Sequence, residues 1–224
     1  MTDNFKKGVS LYNAGNYTDA LGCFLASDCS SDEEKNDLAY YIGLSQARLE
    51  RYDDALVYLE QVVTNGSDKD KVVQCTLALA VIYSLTNRTR MAEFELGKLS
   101  EMGVSNEKTI CTQAYVCWFR NEEDKAIQYY EQVLSTNPEN TTALNGLGYI
   151  LADSGADLTR SLVLCKKAVD LKPDYGPYLD SLGWVYYRLG LLSEAEKFLL
   201  KALDVMPNSP DVMQHLDQVR GAKK

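Results

Sequence analysis

A single histidine, His215, stands in a chain of 224 residues, and that scarcity removes most of the usual catalytic arrangements. A serine or cysteine nucleophile needs a base beside it, and the only imidazole lies near the carboxyl end. The six cysteines (Cys23, Cys29, Cys75, Cys111, Cys117 and Cys165) never fall as Cys-x2-Cys. With one histidine to help them they offer no zinc-ligand spacing. Most sit inside apolar stretches, as free thiols do in a reducing compartment. Glycines come close together only at Gly146–Leu147–Gly148, within a helical pattern, so no phosphate-cradling loop is present. Acidic pairs such as Glu33–Glu34, Asp53–Asp54 and Glu122–Glu123 stand at expected helix starts, where the helix dipole favours negative charge. No enzyme, catalytic residue, metal or cofactor is expected.

Positive charge is also in short supply. The net charge is −9, and residues 1–70 carry 6 basic against 13 acidic side chains. Without a basic stripe there is little to neutralise phosphates, which argues against nucleic acid and against an anionic membrane surface. No run approaches 18 uninterrupted apolar residues, so direct membrane insertion is not expected. The opening MTDNFKKGVSLYNAGNY lacks the apolar core of a signal peptide, and the reading is cytoplasmic. The alternative is an exported or lipid-anchored protein whose leader has been removed.

What the chain does have is a stride. Small residues recur at Gly8, Gly43, Ala80, Ala114, Gly148 and Gly183, at spacings of 35, 37, 34, 34 and 35. A second small set, Ala20, Ala55, Ala92, Ala126, Ser161 and Ala195, keeps spacings of 35, 37, 34, 35 and 34. The clearest unit runs from Tyr178 to Pro207. There Leu179, Leu182 and Tyr186 share one helical face, and Gly183 lets a second helix approach, with Ala195 as the matching small surface. Gly190 marks the turn and Pro207 ends the second helix. Helices are expected near 3–14 and 17–27 and onward in pairs, with a Ser31–Glu34 capping box and Gly103 closing a helix. The SGADL turn of the fifth pair carries one extra residue. Residues 210–220 begin with Pro210 and place Val212, Leu216 and Val219 on one face, the signature of a capping helix that covers a last apolar surface.

These markers follow the pattern W-x2-L-G-x2-Y…A-x3-F…P of the 34-residue tetratricopeptide repeat, with Leu179 in the place of the tryptophan. The chain is identified as a member of that family, and residues 143–190 resemble the carboxy-terminal repeats of bacterial scaffold and adaptor members. The expected fold is all-α, a right-handed α-solenoid of six helical hairpins plus a C-terminal capping helix. The repeats run over 1–34, 36–69, 70–106 (the most degenerate, and the expected place of any flexible joint), 107–140, 141–175 and 176–209, with 210–224 as cap and tail.

The resemblance implies that function lies on the concave wall formed by the first helix of each pair, which holds an extended or helical peptide. Read at those positions, the wall would present Tyr115, Trp118, Phe119, Tyr149, Trp184 and Tyr187, with Asn145, Asp180 and Arg188 as polar guides. Family members that grip the carboxylate ends of chaperone tails use a ladder of Lys, Asn and Arg there, which this chain does not have. Aromatic anchors among a few polar groups are the make-up of recognition hot spots. The expected function is a non-enzymatic scaffold that binds an apolar or amphipathic segment of a partner protein or peptide. The alternative is a self-associating assembly protein whose aromatic groove is an oligomer interface.

Overall fold

The computed structural model describes residues 2–223, whose regular elements are all helices, with no strand among the described residues. Two compact units divide the chain, Met1–Thr112 and Gln113–Lys224. The first holds α1 (Asp3–Asn13), α2 (Tyr17–Leu25), α3 (Asp32–Arg48), α4 (Tyr52–Asn65), α5 (Lys69–Leu85) and α6 (Thr89–Glu101). The second holds α8 (Glu123–Thr136), α9 (Thr141–Ser154), α10 (Leu158–Leu171), α11 (Gly176–Arg188), α12 (Leu192–Val205) and α13 (Pro210–Ala222). Between them α7 (Glu107–Phe119) runs across the division. The division therefore falls just beyond residues 70–106, in a helix whose sequence is regular.

In the first unit α1 packs on α2, α3 on α4 and α5 on α6 as antiparallel pairs, and α1, α3 and α5 also touch in succession. In the second unit α9 pairs with α10 and α11 with α12, while α9, α11 and α13 touch in succession. Each unit thus sets its first helices side by side as one layer, with the second helices behind.

Small residues permit that packing, as their spacing predicts, but the partner is not the one expected. A Cβ on Gly183 would lie 2.7 Å from Leu199 Cγ, and only the backbone oxygen of Ala195 comes near, at 3.3 Å. The same offset repeats: Gly8 meets Phe24 at 2.6 Å, Gly43 meets Leu59 at 2.9 Å and Gly148 meets Cys165 at 2.5 Å. Each contact residue stands four positions after the small residue of the second helix, so the helices cross one turn later than Ala20, Ala55, Ser161 and Ala195. Ser161 is tolerated in this small set because its buried hydroxyl donates to the Gly148 carbonyl at 2.6 Å.

The turns inside the pairs share one device. Gly15, Glu50, Asn87, Asn121, Gly155 and Gly190 all have φ between 58° and 80°, the left-handed conformation that ends a helix. After five of them the next amide reaches back to the carbonyl five residues earlier, as Leu191 does to Tyr186 at 2.9 Å and Asn16 to Leu11 at 2.9 Å. The turn at Gly155 lacks this bond and makes only the shorter one, from Gly155 to Ala152 at 3.1 Å. That is the turn with the extra residue. Gly103 is also left-handed, at φ 69°, after α6.

The capping box forms by half. The Ser31 hydroxyl accepts from the Glu34 amide at 3.2 Å, but the Glu34 carboxylate accepts from the amide and hydroxyl of Ser30 instead of closing on Ser31. All six cysteines are free. Burial pushes the thiols of Cys75, Cys111 and Cys165 up to about 12, which fits packing rather than reactivity. No helix is long and apolar enough to cross a membrane among the described residues.

Candidate functional site

The nine expected wall residues all belong to the second unit, on α7, α9 and α11. Tyr115 and Phe119, four apart on α7, hold their rings 4.8 Å apart, and Phe119 is 37% exposed. Trp118 meets the Tyr149 ring edge-on at 6.5 Å and 90°, and both are half-buried. Tyr115, like Trp118 and Tyr149, is half-buried, and Phe119 is the exposed ring of the set.

Trp184 and Asp180 sit deeper than a freely open wall would place them, with 8% and 9% exposure. The residue that covers them is His215 of α13. Its ring stacks on Trp184 at 4.5 Å and 26°, and its Nδ1 lies 2.9 Å from Asp180 Oδ1. Val212, Leu216 and Val219 bury the adjacent stripe of α13, and this fixes His215 over the indole. Sequence reasoning put His215 in the cap and missed its place here. The signal was present: Asn145, Asp180 and His215 are each 35 residues apart, so the wall's own stride continues one step past the last pair.

Around Trp184, Tyr187 lies 5.1 Å away and the Arg188 guanidinium 5.9 Å over the ring. Arg188 also donates from Nη1 to the Asp153 carbonyl. The Tyr149 hydroxyl is held well above its ordinary pKa, by burial first and then by Asp153, Asp180 and Asp211, with Arg188 acting the other way. Tyr149 also packs, partly buried, against the core cluster that contains Trp184 and Val212. Two enclosed atoms in this region have no hydrogen-bond partner, Asn145 Oδ1 and Trp184 Nε1. No group of residues suited to holding a metal occurs among the described residues.

The first unit has a concavity that the sequence did not single out. It measures about 460 Å³ and is lined by Phe5, Lys6 and Val9 of α1, Asp37 and Tyr41 of α3, and Lys71 of α5. Here too the lining comes from first helices. Lys71 is paired to Asp37 and lies 3.6 Å from Asp68.

Hairpins with small crossing residues, left-handed turns and a first-helix layer are what the repeat family prescribes. A family model described as tetratricopeptide repeat matches residues 5–70 and 112–176, and a second of that description matches 178–206. This chain belongs to the tetratricopeptide-repeat family. Among curated relatives, the TPR repeat-containing protein PA4667 of Pseudomonas aeruginosa is 42% identical over 86 residues, 38% of this chain and 14% of that protein. Tetratricopeptide repeat protein 21A of Mus musculus is 29% identical over 153 residues, 67% of this chain and 11% of that one. This tetratricopeptide chain thus spans only a small part of the length of either. Among solved structures, a chain in the crystal structure of the APC/C hetero-tetramer Cut9–Hcn1 matches at a TM-score of 0.70 and 12% identity, over 96% of this chain and 42% of that one. That likeness concerns the fold alone.

Proposed function

We propose that this tetratricopeptide protein is a non-enzymatic scaffold that binds an apolar or amphipathic segment of a partner protein along the first-helix wall of its second unit. The observation that carries the reading is the pairing of Trp118 with Tyr149, two half-buried rings from successive first helices, set edge to face. Two large amphipathic rings held by the scaffold lose little freedom on binding, which is why such residues anchor interfaces. Tyr115 and Phe119 extend this surface. Asp180, Trp184, Tyr187 and Arg188 form its deeper end, where the polar guides are.

The test is direct binding by the full chain. Short amphipathic peptides selected against it by display are titrated again against Trp118→Ala, with circular dichroism confirming the fold. Removal of a central aromatic anchor costs about 2 kcal/mol or more where the residue is a hot spot, so affinity should fall by at least tenfold. Selected peptides that bind Trp118→Ala as well as wild type would sink the assignment.

A further inference from the structure

The second helix of the third pair, α6, carries its end charges against its own dipole. A helix has partial positive charge at its start and partial negative charge at its end. The second helices α2, α4, α8 and α12 meet that field with an acid in the opening turn, as at Asp19 and Glu194. The opening turn of α6 has no acid. It holds Arg90 instead, and Glu101 closes the helix. Both side chains are exposed, and the nearby ion pairs use Arg88 and Lys98.

Between those charges the outer stripe of α6 has a knob and a notch. Arg90, Phe94, Gly97 and Glu101 follow at intervals of four, three and four residues, which aligns them on one face. Ala92, Glu95 and Leu99 are buried on the other, where α6 packs on α5. Phe94 is 59% exposed, with the Lys98 ammonium 4.7 Å from its ring. A Cβ added to Gly97 meets nothing within 4 Å, so packing within the chain does not call for a residue that weakens a helix. At Gly8, Gly43, Gly148 and Gly183 it does.

We infer that α6 pairs with α6 of a second copy of this chain, antiparallel about a two-fold axis. The stripe is its own complement, as a two-fold interface requires. Turned end for end, it sets Phe94 over the second copy's Gly97 and Arg90 beside the second copy's Glu101, and the axis repeats both contacts. Each charge then lies against the helix end whose dipole favours it. On one flank Met91, 45% exposed, meets the aliphatic stem of the second copy's Lys98. One face of a 13-residue helix lies at the small end of specific interfaces, below about 1,200 Å², so the dimer forms and dissociates reversibly. It uses none of the wall residues assigned to peptide binding above.

The test is sedimentation velocity of the full chain from about 5 µM to about 500 µM, the range in which so small an interface comes apart. Wild type should pass from monomer to dimer. Phe94→Ser, at an exposed site, should raise the dissociation constant at least tenfold. Arg90→Glu and Glu101→Arg each set two like-charged pairs across the axis, and each should raise it about tenfold. Mixed in equal amounts, these two variants should associate again: the two reversed side chains then face each other with opposite signs, and so do the two native ones. Circular dichroism confirms the fold of every variant. A wild-type chain that stays monomeric throughout overturns the inference, and so does a dimer that persists in Phe94→Ser. A dimer lost in Trp118→Ala instead places the interface on the aromatic wall and overturns it too. Reversal variants that fail to recover on mixing overturn the antiparallel pairing.

Discussion

Gly183→Ala is the sharpest probe of why the hairpins nest. The new methyl would sit 2.7 Å from Leu199 Cγ, 2.9 Å from Leu199 Cδ2 and 3.3 Å from the Ala195 oxygen. Leu199 is fully buried, so it cannot swing into solvent to make room. Overpacking of this kind costs roughly 1–3 kcal/mol, against a helix-propensity gain of about 1 kcal/mol for replacing glycine inside α11. The net expectation is a loss of about 1 kcal/mol, or roughly 4 °C in melting temperature. Both tryptophans, Trp118 and Trp184, lie in the second unit, so intrinsic fluorescence during urea unfolding reports that unit specifically. The control is Gly97→Ala inside α6, where an added Cβ meets nothing within 4 Å; followed by circular dichroism, it should gain about 1 kcal/mol from propensity alone. The same substitution should therefore have opposite signs at the two sites. A Gly183→Ala protein at least as stable as wild type would refute the close-approach account of the crossing.

Two other outcomes follow from backbone strain and burial. Glu50 holds φ at 58° without being glycine or asparagine, a conformation that costs an L-residue roughly 1–2 kcal/mol. Glu50→Gly should raise the melting temperature slightly, after the greater unfolded-state freedom of glycine is subtracted; a clear fall would show that the Glu50 side chain contributes more than its backbone costs. The thiols of Cys75, Cys111 and Cys165 are pushed up to about 12 by burial and stay protonated at pH 8. Alkylation of the native protein should therefore label the half-buried Cys23 and Cys29 first, and mass spectrometry showing Cys165 modified as fast as Cys23 would contradict the packing of α10 on α9.

The repeat was legible because one constraint, side-chain size at a helix crossing, must recur whenever the crossing recurs. It fixed Gly8, Gly43, Gly148 and Gly183 in sequence, and the structure places each against a large second-helix or sulfur-bearing side chain. The partner was less legible, since a small residue at Ala195 looks like the complement of Gly183 until the crossing point is known. Turns were half legible: Gly15 and Gly190 announce a left-handed residue, whereas Glu50 does not. There the demand comes from hairpin geometry and overrides local preference. The division within α7 had no visible signal, because Ala114, Asn121 and Ala126 keep the stride across it.

The wall shows where stride alone stops being enough. Position in the repeat places Asp180 and Trp184 on the first-helix layer, but their exposure depends on what comes next in space, and after the last pair that is α13. His215 inherits the register of Asn145 and Asp180 and lands on both ring and carboxylate. A capping helix must bury Val212, Leu216 and Val219 to close the apolar face. Closing that face on α12 and α11 necessarily delivers the neighbouring side of α13 to the inner layer. The same packing event therefore ends the core and completes the inner layer, and for that reason the terminal helix belongs to the proposed site as much as to the fold.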